Sequence, residues 1–222
     1  MVALVFPALP TVTLPVTGRP ERFPVRRIFC VGRNYADPTR EAGDRDAPFF
    51  FTKPADAVVE SGSRIPYPPA TVNLHHEGEL VLAIGKSGAM VAEADAPALV
   101  WGHAAGNDLT RRDLEAQAKA SRRPWDMAKG FDRSAVVGAI RPGTLPDATL
   151  RCLVNGTTRQ EARLSTMLRT PAAIIAALSR LVSLAPGDLI FTGTPSGVGA
   201  LQRGDTCKVE IEGLQSATVT IA

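Results

Sequence analysis

Proline and glycine interrupt this chain at short intervals, and their spacing limits what the chain can fold into. Across 222 residues there are 18 Pro and 19 Gly, so most uninterrupted segments are short. Short segments bounded by these residues favour many strands over a helical bundle. We therefore predict a strand-rich α+β domain with few peripheral helices over residues 26–222, after an extended, Pro-rich lead-in over residues 1–25.

The clearest predicted helix covers residues 171–181. Thr170 is a favourable N-cap residue, Pro171 suits the first helical position, and apolar residues recur at helical spacing beyond it. A second helix is predicted over residues 113–120, with Thr110 as its cap. Predicted strands lie at residues 27–31, 49–52, 74–84, 189–192, 206–211 and 217–221.

Composition and charge exclude several classes of function. Hydrophobic residues make up 45% of the chain, enough for a sizeable core, and the formal net charge is only +3. The basic residues are scattered and only two Trp and two Tyr are present, so we expect no nucleic-acid partner. Residues 1–16 lack the basic start of a signal peptide, and the apolar stretch at 171–184 is too short to cross a bilayer. Both features predict a cytoplasmic protein without a membrane partner.

The cysteines are far apart in the sequence. Cys30, Cys152 and Cys207 are odd in number and lack the paired spacing of a zinc motif. The sequence predicts three reduced, mostly buried thiols rather than a disulfide framework.

Two glutamates in the predicted strand at 74–84 indicate chemistry. Residues two apart in a strand face the same side, so Glu77 and Glu79 aim at one place. Two carboxylates on one face of a buried strand repel each other and are costly to desolvate, and a divalent cation removes that cost. Hard oxygen ligands suit Mg²⁺ or Mn²⁺, for which Ca²⁺ is an expected substitute. The alternative is a solvated strand edge.

Other polar residues follow nearby. Asp108, directly after an apolar segment, is suited to supply a third oxygen ligand, although Asp also commonly caps a helix. In an extended strand His76 faces away from Glu77, and only His75 shares its face. We therefore expect these histidines to orient other groups or to pack, rather than to bind one ion together.

A glycine-rich segment lies at residues 193–199. It lacks the ending of a phosphate-binding loop and no clear helix follows it, so a nucleotide is not expected. Its backbone N–H groups and the Thr194 hydroxyl suit a carboxylate, and the alternative is a plain loop between strands.

These features occur in the order of a known family. The chain resembles the fumarylacetoacetate hydrolase superfamily, most closely its small fumarylpyruvate or acylpyruvate hydrolases. The matching stretches lie at residues 31–35 (VGRNY), 51–54 (FTKP), 76–80 (HEGEL), 106–113 (GNDLTRRD), 125–132 (WDMAKGFD), 154–156 (VNG) and 186–199 (PGDLIFTGTPSGVG). Each stretch is weak alone, and together they are specific.

The resemblance implies a fold, a metal and a set of site residues. The implied fold is a set of mixed sheets rolled into a flattened barrel-like sandwich, usually in a homodimer. Mg²⁺ or Mn²⁺ would be held by Glu77, Glu79 and Asp108. Lys129 would line the same pocket as a catalytic residue. The pocket would also hold the residues that contact the substrate, namely Arg33, Lys53, Arg112, Gly193 and Thr194.

The implied reaction is hydrolysis of a carbon–carbon bond next to a ketone in a diketo acid. In the small hydrolases that the chain resembles most closely, the implied reaction converts fumarylpyruvate to fumarate and pyruvate, a step of gentisate-type aromatic catabolism. Cations are expected in such a site, because three carboxylates with one divalent ion leave a net negative charge against an anionic substrate.

The sequence departs from the family at the group that activates water. The family usually places a His and a Glu three residues apart on a short helix over the site. Here Glu41 matches the Glu, but Pro38 stands where the His is expected. Proline carries no base, so water activation falls to Glu41 or Asp37. Two alternatives stay open: a decarboxylase or tautomerase of oxaloacetate-like acids, and a weakly active paralogue.

Overall fold

Strands dominate the computed structural model, which describes residues 3–36 and 47–222. Within these ranges the α-helices are α1 (Arg112–Ala120), α2 (Asp126–Lys129) and α3 (Pro171–Ser179). Short 3₁₀ helices lie at Ala55–Ala57, Glu93–Leu99 and Leu164–Thr166. The strands, β1 to β18 in chain order, are Thr13–Val16, Arg19–Pro24, Arg27–Val31, Phe50–Lys53, Val58–Glu60, Ser63–Ile65, Leu74–His76, Gly78–Ile84, Val100–Asp108, Thr110–Arg111, Ala135–Val137, Arg141–Pro142, Thr149–Val154, Thr157–Arg163, Asp188–Phe191, Gly199–Leu201, Thr206–Ile211 and Ala217–Ile221.

The central layer is an eight-stranded sheet. Its strands run in the order β4-β3-β15-β8-β9-β11-β5, and β12 joins by pairing with β9. β8 is buried at every position because both of its faces are covered. Leu80 and Leu82 belong to one hydrophobic cluster, whereas Val81 and Ala83 belong to another, as the two-residue period of a strand requires.

A five-stranded sheet covers one face of the central sheet. Its order is β14-β13-β17-β18-β6, and buried positions alternate with half-exposed ones along β17. The buried side chains of β17, including Val209 and Ile211, lie in the cluster that holds Leu80. The predicted strand-rich sandwich with few helices is confirmed.

The first strands cover the other face of the central sheet. β1 pairs with β2 as an antiparallel hairpin, where only an extended lead-in was expected. Leu14, Val16 and Phe23 lie in the cluster that also holds Val81, and their burial stabilises the hairpin against that face. The division of the chain at residue 25 stays a prediction.

Most predicted elements lie where the sequence placed them. The strands at 206–211 and 217–221 have the predicted bounds, and the Thr170 hydroxyl caps α3 by accepting from the Ala173 N–H at 3.1 Å. The predicted Thr110 cap is wrong, because α1 begins at Arg112 with no side-chain cap. The strand predicted over 74–84 is interrupted at Glu77, between β7 and β8.

No helix within the described ranges is both long and apolar enough to span a bilayer.

Candidate active site

Carboxylates converge at one end of the central sheet. Glu79 lies at the start of β8, Asp108 ends β9, and Glu77 lies in the break before β8. These strand ends are adjacent because Gly78 pairs with Asn107 across the sheet. One oxygen from each carboxylate lies within 4.8 Å of the other two, and all three residues are buried. The alternatives of a solvated strand edge and of a helix-capping Asp108 are therefore wrong.

Two buried lysines neutralise part of this charge. Lys129 Nζ lies 2.7 Å from Glu77 Oε2 and 2.9 Å from Asp108 Oδ2. Lys53 Nζ lies 2.7 Å from Asp108 Oδ1 and donates to the backbone oxygens of Leu109 and Lys129. The Lys53 side chain is fully buried, so its ammonium group contacts Asp108 and these backbone oxygens and has no contact with solvent.

Helix α2, which the sequence did not predict, delivers Lys129. Its single turn ends at Lys129 and packs against β4 and β10, and the ammonium group lies 4.9 Å from the centre of the Phe51 ring. Burial alone lowers the pKa of Lys129, but Asp108 and Glu77 outweigh it and raise the pKa. Lys129 is therefore a cation at neutral pH.

Arg112 joins the site from the first turn of α1. Its guanidinium group forms ion pairs with Glu77 Oε1 and, at 2.5 Å, with Glu115 Oε2. Glu115 is itself paired with Lys119 at 2.7 Å. Glu115 thus orients Arg112 towards the carboxylates, a role that the sequence alone did not indicate.

The carboxylates differ in charge balance. Burial raises the pKa of Glu77, but Lys129 and Arg112 outweigh it and lower the pKa to about 2. Burial first, and then Asp108 and Glu77, hold the pKa of Glu79 well above its usual range. Among the ion pairs of the described residues, the cations reach Glu77 and Asp108, and Glu79 has none.

A hard divalent cation fits this donor set. One oxygen from each of the three buried carboxylates lies within 4.8 Å of the other two, and Glu79 has no ion-pair partner among the described residues. A dication among these oxygens would offset the repulsion from Asp108 and Glu77 that raises the pKa of Glu79. A set of carboxylate oxygens favours Mg²⁺ or Mn²⁺ over softer metals.

Gly193 allows the 193–199 loop to reach the carboxylates. Its φ is 96°, and a Cβ there would lie 2.7 Å from Asn34 Cβ. The Gly193 N–H donates to Glu79 Oε2 at 2.7 Å, and Thr194 Oγ1 donates to the Gly78 oxygen at 2.8 Å. Both groups were expected to face a substrate carboxylate, and the structure gives them partners on the strand that carries Glu79.

The segment at 31–36 lies against the same loop. Asn34 Nδ2 donates to the Thr192 oxygen at 2.8 Å, and the guanidinium of exposed Arg33 lies 5.7 Å from the centre of the Phe49 ring. Glu41, expected to activate water, and Pro38 lie outside the described residues.

Two buried side-chain amides, those of Asn107 and Gln160, accept hydrogen bonds from the backbone between β7 and β8. Asn107 Oδ1 accepts from the Glu77 N–H at 2.9 Å. Gln160 Oε1 accepts from the Gly78 N–H at 3.0 Å, while its Nε2 donates to Thr194 Oγ1 at 2.8 Å. Sequence reasoning missed both. Asn107 could have been found as the neighbour of Asp108 on the opposite face of β9, but no sequence signal connects Gln160 with this site.

Comparisons with known proteins agree with this geometry. A family profile described as fumarylacetoacetate (FAA) hydrolase C-terminal matches residues 27–222. A fumarylpyruvate hydrolase of Ralstonia sp. is 43% identical over 176 residues, which are 78% of this chain and 92% of that protein. The mitochondrial oxaloacetate tautomerase of Homo sapiens is 41% identical over 202 residues, which are 88% of this chain and 91% of that protein. The crystal structure of a fumarylpyruvate hydrolase from Pseudomonas aeruginosa, in complex with Mn²⁺ and pyruvate, has a TM-score of 0.94 at 43% identity and covers 99% of both chains.

Proposed function

This chain belongs to the fumarylacetoacetate hydrolase family, and on that premise we propose that it is a metal-dependent hydrolase that converts fumarylpyruvate to fumarate and pyruvate. The observation that carries the proposal is the convergence of three buried carboxylates with the cations Lys53, Lys129 and Arg112. The similar Pseudomonas aeruginosa enzyme in complex with Mn²⁺ and pyruvate supports both the metal and the pyruvate half of the substrate.

Glu77, Glu79 and Asp108 are the proposed ligands of Mg²⁺ or Mn²⁺, with Ca²⁺ as a substitute. When bound, the cation supplies Lewis acidity at the 2-oxo-acid end of the substrate. The chain orients each ligand with a separate group. Lys53 contacts Asp108, the Gly193 N–H contacts Glu79, and Asn107 holds the backbone of Glu77.

The cationic residues are proposed to bind the substrate and stabilise charge. Water adds to the ketone carbon of the fumaryl half, the bond to the pyruvate half breaks, and that bond's electron pair stays on the pyruvate carbon, which then takes a proton. Lys129, a buried cation, opposes the negative charge that develops there. Arg112 keeps 24% of its side chain exposed and is the proposed contact of a substrate carboxylate, with Thr194 as a further contact and Arg33 near the mouth of the pocket.

Glu41 is the proposed base that activates water. General bases typically contribute about 10²–10⁴-fold to a rate, so a chain with Pro38 in place of the expected His is expected to be a slow hydrolase. Pro38→His is expected to raise the rate of hydrolysis, with Pro38→Ala as the control for the loss of proline alone. An equal gain in both variants, or no gain in either, would contradict the role assigned to the missing His.

A second candidate is tautomerisation of oxaloacetate. It is favoured by the 41% identity to the human oxaloacetate tautomerase and by Pro38, because moving a proton between carbon and oxygen needs no activated water. The two candidates share the carboxylates and Lys129, and they differ in whether a carbon–carbon bond is broken.

Product identification separates the two candidates. Purified protein with Mn²⁺ is incubated with fumarylpyruvate, acetylpyruvate or oxaloacetate, and the products are followed by NMR. Equal amounts of fumarate and pyruvate are expected from fumarylpyruvate. Faster enol–keto exchange of oxaloacetate, with fumarylpyruvate left intact, would reject the hydrolase in favour of the tautomerase.

We further propose a cytoplasmic homodimer that acts in aromatic catabolism, on the strength of the family resemblance. Exposed apolar side chains near the start of the chain, Val5, Phe6 and Leu9, offer surface for a second copy. Analytical ultracentrifugation would report a dimer, and a monomer at micromolar concentration would contradict this assembly.

A further inference from the structure

Sulfur and nitrogen ligands lie together on the other side of β8 and β9 from the carboxylates, where the five-stranded sheet packs. Cys152 of β13, Cys207 of β17 and His76 of β7 are buried, and one ligand atom from each lies within 4.8 Å of the other two. The two Sγ atoms are 3.5 Å apart, and Cys152 Sγ is 3.4 Å from His76 Nδ1. We refer to these three residues as the thiol cluster.

We propose that the thiol cluster is a binding site for a thiophilic divalent cation of the Zn²⁺ class. In a tetrahedral site with Zn–S of about 2.3 Å and Zn–N of about 2.0–2.1 Å, two sulfurs lie about 3.8 Å apart and sulfur and nitrogen about 3.5 Å apart. The distances from Cys152 Sγ to Cys207 Sγ, 3.5 Å, and to His76 Nδ1, 3.4 Å, approach these values, and the ligand atoms of His76 and Cys207 lie within 4.8 Å of each other. Gln160 Oε1, 3.1 Å from His76 Nδ1, is placed to supply a fourth ligand.

The charge of the cluster favours a dication. Two thiolates and a neutral imidazole carry a charge of −2, so a dication makes the buried site neutral, whereas a monovalent cation leaves an uncompensated charge in the core. The hydrogen bond to Cys207, and then burial, raise the pKa of Cys152 well above its usual value. Binding therefore releases the thiol protons as the metal–sulfur bonds form.

The strand register argues against a disulfide at this place. Cys152 pairs with Val209, and Cys207 pairs with Val154, so the cysteines are diagonal neighbours across the β13–β17 pair. The Cα atoms of such neighbours typically lie about 7–8 Å apart, beyond the range of about 4.4–6.8 Å that a disulfide requires. A bridging cation spans the longer distance.

Groups around the cluster hold its ligands in place. Asn107 Nδ2 donates to Cys207 Sγ at 3.3 Å, a contact of the kind that orients metal ligands. Gly78 keeps the space above the cluster open, because a Cβ there would lie 3.1 Å from Cys152 Cβ. Asn107 also accepts a hydrogen bond from the backbone N–H of Glu77. A cation bound in the thiol cluster would therefore also fix the position of the backbone at Glu77.

Cobalt absorption tests the site directly. Reduced full-length protein, saturated with Mg²⁺ so that the carboxylates are occupied, is titrated with Co²⁺. We expect thiolate-to-cobalt charge-transfer absorption in the near ultraviolet that saturates at a single equivalent and disappears when Zn²⁺ is added. Its absence in the wild-type protein overturns the proposal without the need for a variant.

Matched cysteine variants locate the ligands. The charge-transfer absorption should be lost in Cys152→Ala and in Cys207→Ala and kept in Cys30→Ala, since Cys30 is equally buried but lies outside the cluster. Absorption that survives both cluster variants overturns the proposal. If the cluster variants do not fold, cadmium NMR of the wild-type protein decides, because its shift counts sulfur ligands. Two sulfurs support the site, and an all-oxygen shift or a Cys152–Cys207 disulfide overturns it.

Discussion

The two faces of β8 and β9 offer a metal ion opposite kinds of ligand. On one face Glu79 and Asp108 present oxygens, with Lys129 beside them. On the other face Asn107 contacts Cys207, next to His76 and Cys152. Asp108 and Asn107 face opposite sides because adjacent residues in a strand do so, and the cysteines come from the five-stranded sheet that packs on the side of Asn107.

The two faces also differ in what their burial costs. Thiols and a neutral imidazole can be buried as packing groups without a counterion, whereas carboxylates need cations. The carboxylate face is accordingly surrounded by Lys53, Lys129 and Arg112. The stability of the carboxylate face should therefore depend on Lys53, Lys129 and Arg112 even without metal, whereas the thiol face needs no counterion while its cysteines are protonated.

The largest expected effect comes from Glu79→Gln. Losing the carboxylate that has no ion-pair partner among the described residues should lower kcat/KM about 10³-fold and abolish Mn²⁺ binding measured by electron paramagnetic resonance. Cobalt absorption from the thiol face should be unchanged. Glu161→Gln, at an exposed glutamate of β14, is the control, and retained Mn²⁺ binding in Glu79→Gln would remove the metal site from this face.

Lys129→Met tests the cost of buried charge. Removing this cation leaves Glu77 and Asp108 short of a partner and should lower the free energy of unfolding by about 3–5 kcal/mol without metal. The loss should be smaller in saturating Mn²⁺, because the dication then offsets part of the negative charge of Glu77 and Asp108. Urea unfolding with and without Mn²⁺ measures both values. Equal losses in the two conditions would contradict a shared role, and Lys208→Met, at an exposed ion pair, is the control.

Gln160→Leu tests the connection between the faces. Gln160 contacts Gly78, Thr194 and His76, and its loss leaves buried polar groups unpaired at a cost of about 1–3 kcal/mol in unfolding free energy. Because Thr194 and Gly78 then lose their support, KM should rise more than kcat falls. A loss of stability with unchanged kinetic constants would make Gln160 a purely structural residue.

The smallest effect is expected at a position away from both faces. Thr170→Ala removes the cap of α3 and should cost about 1 kcal/mol of unfolding free energy, with kcat/KM and Co²⁺ absorption unchanged. Thr170→Ser keeps the hydroxyl and should behave as wild type in thermal unfolding. A change in activity would mean that α3 communicates with the carboxylate face.

Local patterns in the sequence were enough for much of the fold and for the carboxylates. The turn residues at 203–205 located the start of the strand at 206–211, and the pair Thr170-Pro171 located the start of α3. Glu77, Glu79 and Asp108 were found in the same way, because a two-residue period and a strand end are local properties. Helix α2 was missed because its four residues are too few to show a period.

The sequence by itself determined which residue types are available and on which side of a strand each one lies. Only the tertiary structure decided that the Gly193 N–H contacts Glu79 and that Gln160 spans three segments. It also brought Cys152 and Cys207, predicted as separate buried thiols, to 3.5 Å from each other. The physical reason is that contacts between distant segments depend on the register and packing of whole sheets, which no short stretch of sequence encodes.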